Sequence, residues 1–249
     1  YITIRYRSSS GRIIGNVRQY VYSNHLHNLH QNICVTLRTT IDRYIARQSK
    51  LPKGLFGRIV MNRIFATANK YRNQRTLRQL SLSENLSILD IGCGNGDLLF
   101  DLLHDHPSCL AVGIELSDAM TTIVRRRNTS RGARHRIKLA TADWNRLPFS
   151  DGSFDRIVAC NIIYFWERPQ DSLSEIRRIL KSDGRVTIMF QPVLNDFKST
   201  FLDYGYDVYS QEEAICLLEQ NGFQMINVVS KDEESKDRSW QVLWITASL

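Results

Sequence analysis

The stretch Ser87-Ile88-Leu89-Asp90-Ile91-Gly92-Cys93-Gly94-Asn95-Gly96-Asp97 decides how the rest of this chain folds. An apolar run with an acid near its end leads into three glycines at alternate positions, and an apolar helical pattern follows. A strand without a polar face indicates burial on both sides, which is typical of the parallel sheet of an α/β domain. Such sheets bind ligands at the carboxyl ends of their strands, and glycine allows close approach of the backbone. We therefore expect a ligand site at residues 90–96.

The spacing of these glycines separates two kinds of adenosine site. Dinucleotide folds use G-x-G-x-x-G with a phosphate at the helix N-terminus, whereas this loop reads G-x-G-x-G and Asp90 precedes it. A carboxylate disfavours a phosphate and suits a cationic or amine-bearing ligand. The run Leu89–Gly96 resembles the first motif of class I S-adenosylmethionine-dependent methyltransferases. That resemblance implies S-adenosylmethionine as cofactor, with its ammonium group facing Asp90 and its amino-acid end over the following residues: Gly92, Cys93, Gly94 and Gly96.

Two further apolar strands also end in acids. Glu115 closes the strand 109–116 and lies 23 residues beyond Gly92, close to the spacing that brings the second strand of a βαβ unit beside the first. The two carboxylate oxygens of Glu115 suit both hydroxyls of a ribose. The alternative is that Glu115 is a solvated acid at a strand end. Its neighbour Leu116 is a further candidate for cofactor binding. The third strand, 137–143, ends in Asp143. The resemblance implies that Asp143 and Trp144 meet the adenine.

A fourth strand at 156–160 follows the turn Leu147-Pro148-Phe149-Ser150-Asp151-Gly152-Ser153-Phe154-Asp155, which recurs in the same family. The residues after it belong at the switch point where substrate and cofactor meet. By resemblance Asn161 lies near the methionine end of the cofactor. The three aromatic residues Tyr164, Phe165 and Trp166 line an acceptor pocket or belong to the core. Tyr164 is the one candidate for a general base, and no other catalytic residue is assigned.

The remaining chain completes an α/β fold. We predict a Rossmann-like, seven-stranded and mostly parallel sheet, with helices on both faces and an N-terminal helical segment. Its C-terminal antiparallel hairpin consists of residues 223–231 and 240–247 around an acidic loop, 232–238. A capping box at Ser210–Glu213 opens a helix that ends at Asn221-Gly222.

The N-terminal region precedes the predicted sheet and has a different expected structure. Residues 1–50 are expected to be a basic arm, poorly ordered over 1–17, with an amphipathic helix at 24–48; residues 51–249 form the methyltransferase domain. A hinge at 51–57 leads to a lid helix over 58–80. Its lid-side candidates by resemblance, with simple packing as the alternative, are Met61, Asn62, Asn69 and Tyr71. The histidines His25, His27 and His30 lack nearby carboxylate or cysteine partners, so we predict no metal site.

Charge is distributed unevenly along the chain. Residues 1–80 contain 15 Lys and Arg side chains and one acid, Asp42. Residues 81–249 contain 18 Lys and Arg side chains and 24 acids. A basic, acid-poor leader is typical of an arm that binds nucleic acid or anionic membrane, and also of an organelle transit peptide. The five cysteines are scattered without C-x-x-C spacing, which indicates reduced, buried thiols. We therefore expect a cytoplasmic protein, with a mitochondrial location as the alternative.

These observations favour one function over two others. We expect an S-adenosylmethionine-dependent methyltransferase acting on a small molecule, within the broad group that includes quinone- and sterol-methylating enzymes. The alternatives are a protein that binds or modifies nucleic acid through its basic first 80 residues, and a catalytically silent cofactor-binding fold. The prolines of the N-P-P-Y loop are replaced by Ile162 and Ile163, which argues against methylation of nucleic-acid bases. Apolar runs stay shorter than the roughly 18 residues that a membrane span requires.

Overall fold

A computed structural model describes residues 5–7, 13–16, 43–130, 137–192, 206–235 and 238–249. The chain divides into two compact units, Tyr1–Ala46 and Arg47–Leu249. In the first, β1 (Arg5–Arg7) and β2 (Ile13–Asn16) pair antiparallel across a Ser- and Gly-rich connection. The expectation of a poorly ordered arm over 1–17 is therefore wrong for these two segments. Most of the predicted helix 24–48, and the three histidines within it, lie outside the described residues.

The second unit is organised around a seven-stranded sheet with the order β5-β4-β3-β6-β7-β9-β8. The first five strands in that order pair parallel, and β9 pairs antiparallel with both of its neighbours. This confirms the predicted fold class. The strands are β3 (Ser87–Ile91), β4 (Leu110–Ile114), β5 (Lys138–Ala140), β6 (Phe154–Cys160), β7 (Leu180–Phe190), β8 (Gln224–Ser235) and β9 (Arg238–Ser248).

The described residues contain six α-helices of at least eight residues. They are α1 (43–50), α2 (Asn62–Gln79), α3 (Asp97–Asp105), α4 (Asp118–Thr129), α5 (Pro169–Ile179) and α6 (Gln211–Gln220). A helical turn, Gly54–Phe56, and a π-helical stretch, Gly57–Met61, lead directly into α2. None of the helices in the described part of the chain is long and apolar enough to cross a membrane.

The central strand β3 is buried on both faces, as its composition predicts. Ile88 packs into a cluster with α3, whereas Leu89 and Ile91 pack into a second cluster with α5 and α6. Alternate residues of a strand point to opposite faces, so helices cover both sides of the sheet. The chain leaves β3 toward β4 and β5, and later returns to β6 and β7 on the other side. This reversal creates a crevice at the carboxyl end of β3.

Three element boundaries differ from the expectations. Strand β5 covers three residues instead of 137–143, because it lies at the sheet edge and pairs with β4 alone. The hairpin continues through the expected acidic loop, with Glu233 opposite Trp240. Glu233 is held there by an ion pair with Arg72, which offsets the cost of placing its charge in a strand. Helical structure also begins at Gly54, inside the expected hinge.

The recurrent turn before β6 is held by one arginine. Arg178 donates hydrogen bonds to the carbonyl oxygens of Leu147 and Phe149 and to the carboxylates of Asp151 and Glu175. The Leu147 N–H donates in turn to Glu175 at 2.7 Å. The turn is thus fixed to α5, which positions the start of β6.

Candidate active site

The glycine loop uses its three glycines for different purposes. Gly92, Gly94 and Gly96 have φ values of 74°, 54° and 78°, in the left-handed region that favours glycine. A Cβ on Gly92 would lie 2.5 Å from Ile162 Cγ2, and one on Gly96 would lie 3.0 Å from Ile137 Cδ1. A Cβ on Gly94 would meet no atom within 4 Å. Gly92 therefore allows close packing of the loop after β6, whereas Gly94 borders open space.

That open space is a cavity of about 940 Å³ along the carboxyl edge of the sheet. Its walls come from the glycine loop, the ends of β4, β6 and β7, helix α2 and the start of β9. Of the predicted site residues, those that line it are Asp90, Gly92, Cys93, Gly94, Glu115, Leu116, Trp144, Asn161 and Tyr164. Gly96 lies behind the loop, in the core.

Two of the predicted acids meet in this cavity. Glu115 accepts hydrogen bonds from the N–H groups of Gly94 at 2.9 Å and Ser117 at 2.7 Å. Burial raises the pKa of Glu115 against the opposing effect of these hydrogen bonds. Burial, and then the charge of Glu115, raise the pKa of Asp90 well above its ordinary value. Asp90 Oδ1 is buried without a hydrogen-bond partner among the described residues.

The structure does not bring Asp143 into the cavity lining. Its side chain is exposed, and Oδ1 accepts from the backbone N–H of Asn145 at 2.9 Å and from the Asn145 amide at 3.0 Å. Its neighbour Trp144 does line the cavity. Contact between Asp143 and an adenine stays a prediction.

Asn161 and Cys93 occupy tightly restricted positions. Asn161 has a φ of 56°, and its N–H donates to the carbonyl oxygen of Met189 at 2.8 Å. This bond turns the backbone after β6 toward the cavity. Cys93 is buried against β4, where a Cβ on Gly113 would lie 2.6 Å from its sulfur.

The segment that precedes α2 is tied to the site from two sides. Ser117 Oγ donates to the carbonyl oxygen of Pro52 at 2.5 Å and also accepts from the Met120 N–H as the N-cap of α4. The Asn95 amide donates to Asn62 Oδ1 at 2.9 Å. These bonds hold the segment at the tip of β4 and beside the glycine loop.

The four lid-side candidates occupy different positions relative to the cavity. Asn69 lines the cavity, and Asn62 contacts the glycine loop through its bond to Asn95. Met61 is buried away from the cavity and Tyr71 is 75% exposed, so neither lines it. For these last two residues the expected lid-side position is wrong.

The three aromatic residues after β6 divide between the cavity lining and the core. Tyr164 and Phe165 line the cavity, whereas Trp166 is fully buried in the core and does not reach it. The Tyr164 hydroxyl accepts from the Gln191 N–H at 2.5 Å. Burial raises the pKa of Tyr164, so its hydroxyl stays protonated at neutral pH.

Several residues that line the cavity were not predicted from the sequence. They are Arg72 and Asn73 on α2, Gln191 after β7, Tyr206 before α6, and Trp240 at the start of β9. A signal for the first two exists, because Asn69, Arg72, Asn73 and Thr76 recur every three or four residues and so share one face of the helix. For the others no local pattern marks a site, since the packing of segments that are distant in sequence brings them to it.

Comparison with known proteins agrees with this arrangement. Residues 88–184 match the family described as Methyltransferase domain, and the matched range contains most of β3, the glycine loop and Glu115. This part of the chain is thus similar to class I S-adenosylmethionine-dependent methyltransferases. Members of this family use S-adenosylmethionine as their cofactor.

Two relatives show how far the sequence similarity extends. This chain is 31% identical over 150 residues to the ubiquinone/menaquinone biosynthesis C-methyltransferase UbiE of Geotalea uraniireducens, covering 58% of this chain and 63% of that protein. It is 30% identical over 119 residues to the sterol 4-C-methyltransferase strm-1 of Caenorhabditis elegans, covering 48% of this chain and 35% of that protein. The chain thus spans less than two thirds of the length of either relative.

A solved structure shows the same fold. Phosphoethanolamine N-methyltransferase 2 of Haemonchus contortus, in complex with phosphomonomethylethanolamine and S-adenosylhomocysteine, superposes with a TM-score of 0.61 at 18% identity. The superposition covers 72% of this chain and 52% of that one.

The residues of the methyltransferase domain fit the cofactor on three independent grounds. The orphaned Asp90 oxygen suits an ammonium group, since a buried polar atom without a partner is costly. Glu115 uses one hydrogen bond on each oxygen and keeps lone pairs for hydroxyl groups. Gly94 leaves space that any side chain would fill.

Proposed function

We propose that this protein transfers a methyl group from S-adenosylmethionine to a small-molecule acceptor. The observation that carries the proposal is the buried Oδ1 of Asp90, which has no hydrogen-bond partner in the described part of the chain and lies in the same cavity as Glu115 at the switch point of the sheet. Such an atom calls for a donor from a ligand, and a cationic donor also compensates the burial of the charge. Asp90 would hold the ammonium group, and Glu115 the ribose hydroxyls.

The chain then has to align two reactants and exclude water. S-adenosylmethionine supplies the methyl group on a positively charged sulfonium. The glycine loop and the anchored segment around Pro52 line the cavity, and Phe165, Tyr206 and Trp240 contribute aromatic surface to it. Fixing two reactants in attack geometry supplies about 7–11 kcal/mol of barrier lowering. Burial raises the pKa of Tyr164, so its hydroxyl keeps its proton at neutral pH and is not available there as a base for the acceptor.

A small acceptor is supported by the kind of cavity and by the relatives. The cavity volume lies at the upper end of the range for small-ligand sites, which is about 300–1,000 Å³. The Geotalea relative is named for ubiquinone and menaquinone biosynthesis, and the Caenorhabditis relative is named as a sterol methyltransferase. No described residue adds support to the nucleic-acid alternative. A cytoplasmic location belongs to the same proposal, and imaging of the tagged full-length protein tests it against a mitochondrial one.

Calorimetric titration with S-adenosylhomocysteine tests the cofactor site. We expect clear binding by the wild type and a loss of about 1–3 kcal/mol in Glu115→Gln, the range for hydrogen bonds to a charged group. Glu84→Gln is the matched control, because Glu84 lies in an exposed turn. Methyl transfer from labelled cofactor into a metabolite extract then separates an enzyme from a silent binding fold. Saturation by a nicotinamide dinucleotide, with no binding of S-adenosylhomocysteine, would contradict the proposal.

A further inference from the structure

Four residues that line the cavity away from the glycine loop belong to a polar cluster that also includes Glu233. We call Arg72, Glu233, Trp240, Gln191 and Tyr164 the acceptor-side cluster. Arg72 donates to both carboxylate oxygens of Glu233, with Nη2 2.6 Å from Oε2 and Nε 3.1 Å from each oxygen. Trp240 Nε1 donates to Glu233 Oε2 at 2.9 Å. With its amide oxygen facing them, Gln191 accepts from Trp240 Nε1 at 2.9 Å and from Arg72 Nη2 at 3.1 Å.

Burial makes this ion pair unusual. The side chains of Arg72 and Glu233 are only 10% and 24% exposed. Pairs removed from water are weak sources of stability, because desolvation cancels much of the attraction. Arg72 is also incompletely used: a guanidinium has five N–H donors, and Nη1 donates to no described residue. Arg72 lines the cavity and therefore keeps donors for a ligand there.

The position of the cluster identifies which ligand it meets. Gln191 follows β7, which lies three strands from β4 and its Glu115 in the sheet order. Three strand spacings of about 4.8 Å each separate the two ends of the cavity. The candidate ribose group, Glu115, lies at one end and the cluster at the other, with Asp90 and Asn161 between them. The cluster thus faces the acceptor side.

We propose that Arg72 contacts the acceptor and stabilises an oxyanion on it, with Glu233 as a positioning residue that holds the guanidinium in place. The acceptor then carries an acidic hydroxyl group, as phenols and enols do. This inference rests on the proposed methyl transfer. The hydroxyl proton leaves to water, the S–CH₃ bond breaks with its electron pair remaining on sulfur, and the methyl group bonds to the oxyanion or to a carbon conjugated with it. In the second case the proton on that carbon leaves to water afterwards.

The electric field of Arg72 reaches a phenol in this wall. Burial raises the pKa of Tyr164, and the positive charge of Arg72 acts in the opposite direction. A phenol bound against the same wall would meet the same charge. The positive charge of Arg75, also on α2, contributes to lowering the pKa of Glu233. The other titratable groups that face the cavity from the surrounding elements are Lys50, Asp90, Cys93, Asp97, Glu115, Cys160 and Tyr206.

The test measures the ionisation of 4-nitrophenol, followed by phenolate absorbance, in the complex of the full chain with S-adenosylhomocysteine. In the wild type we expect a bound pKa about one unit below that of free 4-nitrophenol, a tenfold rise in the ionisation constant. Arg72→Gln should abolish this shift, because the stabilising cation is lost. Glu233→Gln keeps an amide oxygen that still accepts from the guanidinium and holds it in place, but it removes the competing negative charge, so this variant should enlarge the shift.

The two substitutions break the same ion pair, so a purely structural role predicts that both change the phenol pKa in the same direction. That result, no change in either variant, or failure of 4-nitrophenol to bind to the wild-type complex would overturn the inference. Retained binding of S-adenosylhomocysteine shows that each variant is folded. If Arg72→Gln fails this control, Arg72→Lys replaces it and should keep part of the shift, since it keeps the charge but not the planar fork. Absence of cofactor binding by the wild type itself would instead refute the proposed function.

Discussion

At the scale of single residues, the site depends on an acid that the fold buries. Burial and the charge of Glu115 raise the pKa of Asp90, so the folded protein binds a proton there more tightly than the unfolded chain does. The free energy of unfolding of the cofactor-free protein should therefore fall as the pH rises from about 4, the ordinary carboxyl value, through the raised pKa.

Replacing Asp90 by Asn should flatten this decline. Denaturant unfolding of the cofactor-free protein between about pH 4 and pH 8 measures it. Asp105→Asn, at an exposed position near the end of α3, is the control and should keep the wild-type slope. An Asp90→Asn protein with the wild-type slope would contradict the assignment.

The glycine loop offers a second test at single positions. Gly92 and Gly94 both have positive φ, so alanine is strained at either one, by about 1–3 kcal/mol. At Gly92 the new Cβ also meets Ile162, whereas at Gly94 it enters open cavity. Gly92→Ala should therefore lose more unfolding free energy than Gly94→Ala. Gly94→Ala should retain more of its stability yet bind S-adenosylhomocysteine poorly. Equal effects on unfolding and binding in both variants would argue against this division of roles.

At the scale of elements, Ser117 joins two segments that are distant in sequence. Its hydroxyl caps α4 and donates to the Pro52 carbonyl oxygen, which fixes the segment before α2. Ser117→Ala should cost about 1 kcal/mol of unfolding free energy from the lost cap. It should also weaken S-adenosylhomocysteine binding and speed hydrogen exchange over residues 51–61.

The chain offers a matched control for this prediction. Ser210 caps α6 in a complete capping box with Glu213, and its hydrogen bonds within the described residues do not involve residues 51–61. Ser210→Ala should lose a similar free energy of unfolding while keeping cofactor binding and exchange over residues 51–61 unchanged. If the two variants behave alike, the anchor at Pro52 has no role in binding.

At the scale of the whole molecule, the division at Ala46 separates the basic N-terminal unit from the unit that holds the sheet and the cavity. The boundary lies four residues from the predicted one at residue 50, and that domain assignment stays a prediction. Deleting residues 1–46 should leave S-adenosylhomocysteine binding unchanged, as measured by calorimetry beside the full chain. Loss of binding together with loss of the folded state would show that the N-terminal unit is required by the sheet.

Much of the fold was predictable because local patterns carry it. Continuous apolar runs identified β3, β4 and β6, and the Ser117 and Ser210 caps marked the starts of α4 and α6. The exposed Cys216 and the core position of Trp166 were not predictable in this way. Both depend on which face of an element another element covers.

The sequence by itself determined the parallel α/β sheet, the glycine loop and the acids Asp90 and Glu115, because each is encoded within one strand and the turn that follows it. The acceptor side was decided only by the tertiary structure. Arg72 and Glu233 are 161 residues apart and meet because β8 and β9 extend the sheet beside helix α2. A pairing between distant segments leaves no periodic trace in either one, so it becomes visible only when the sheet is assembled.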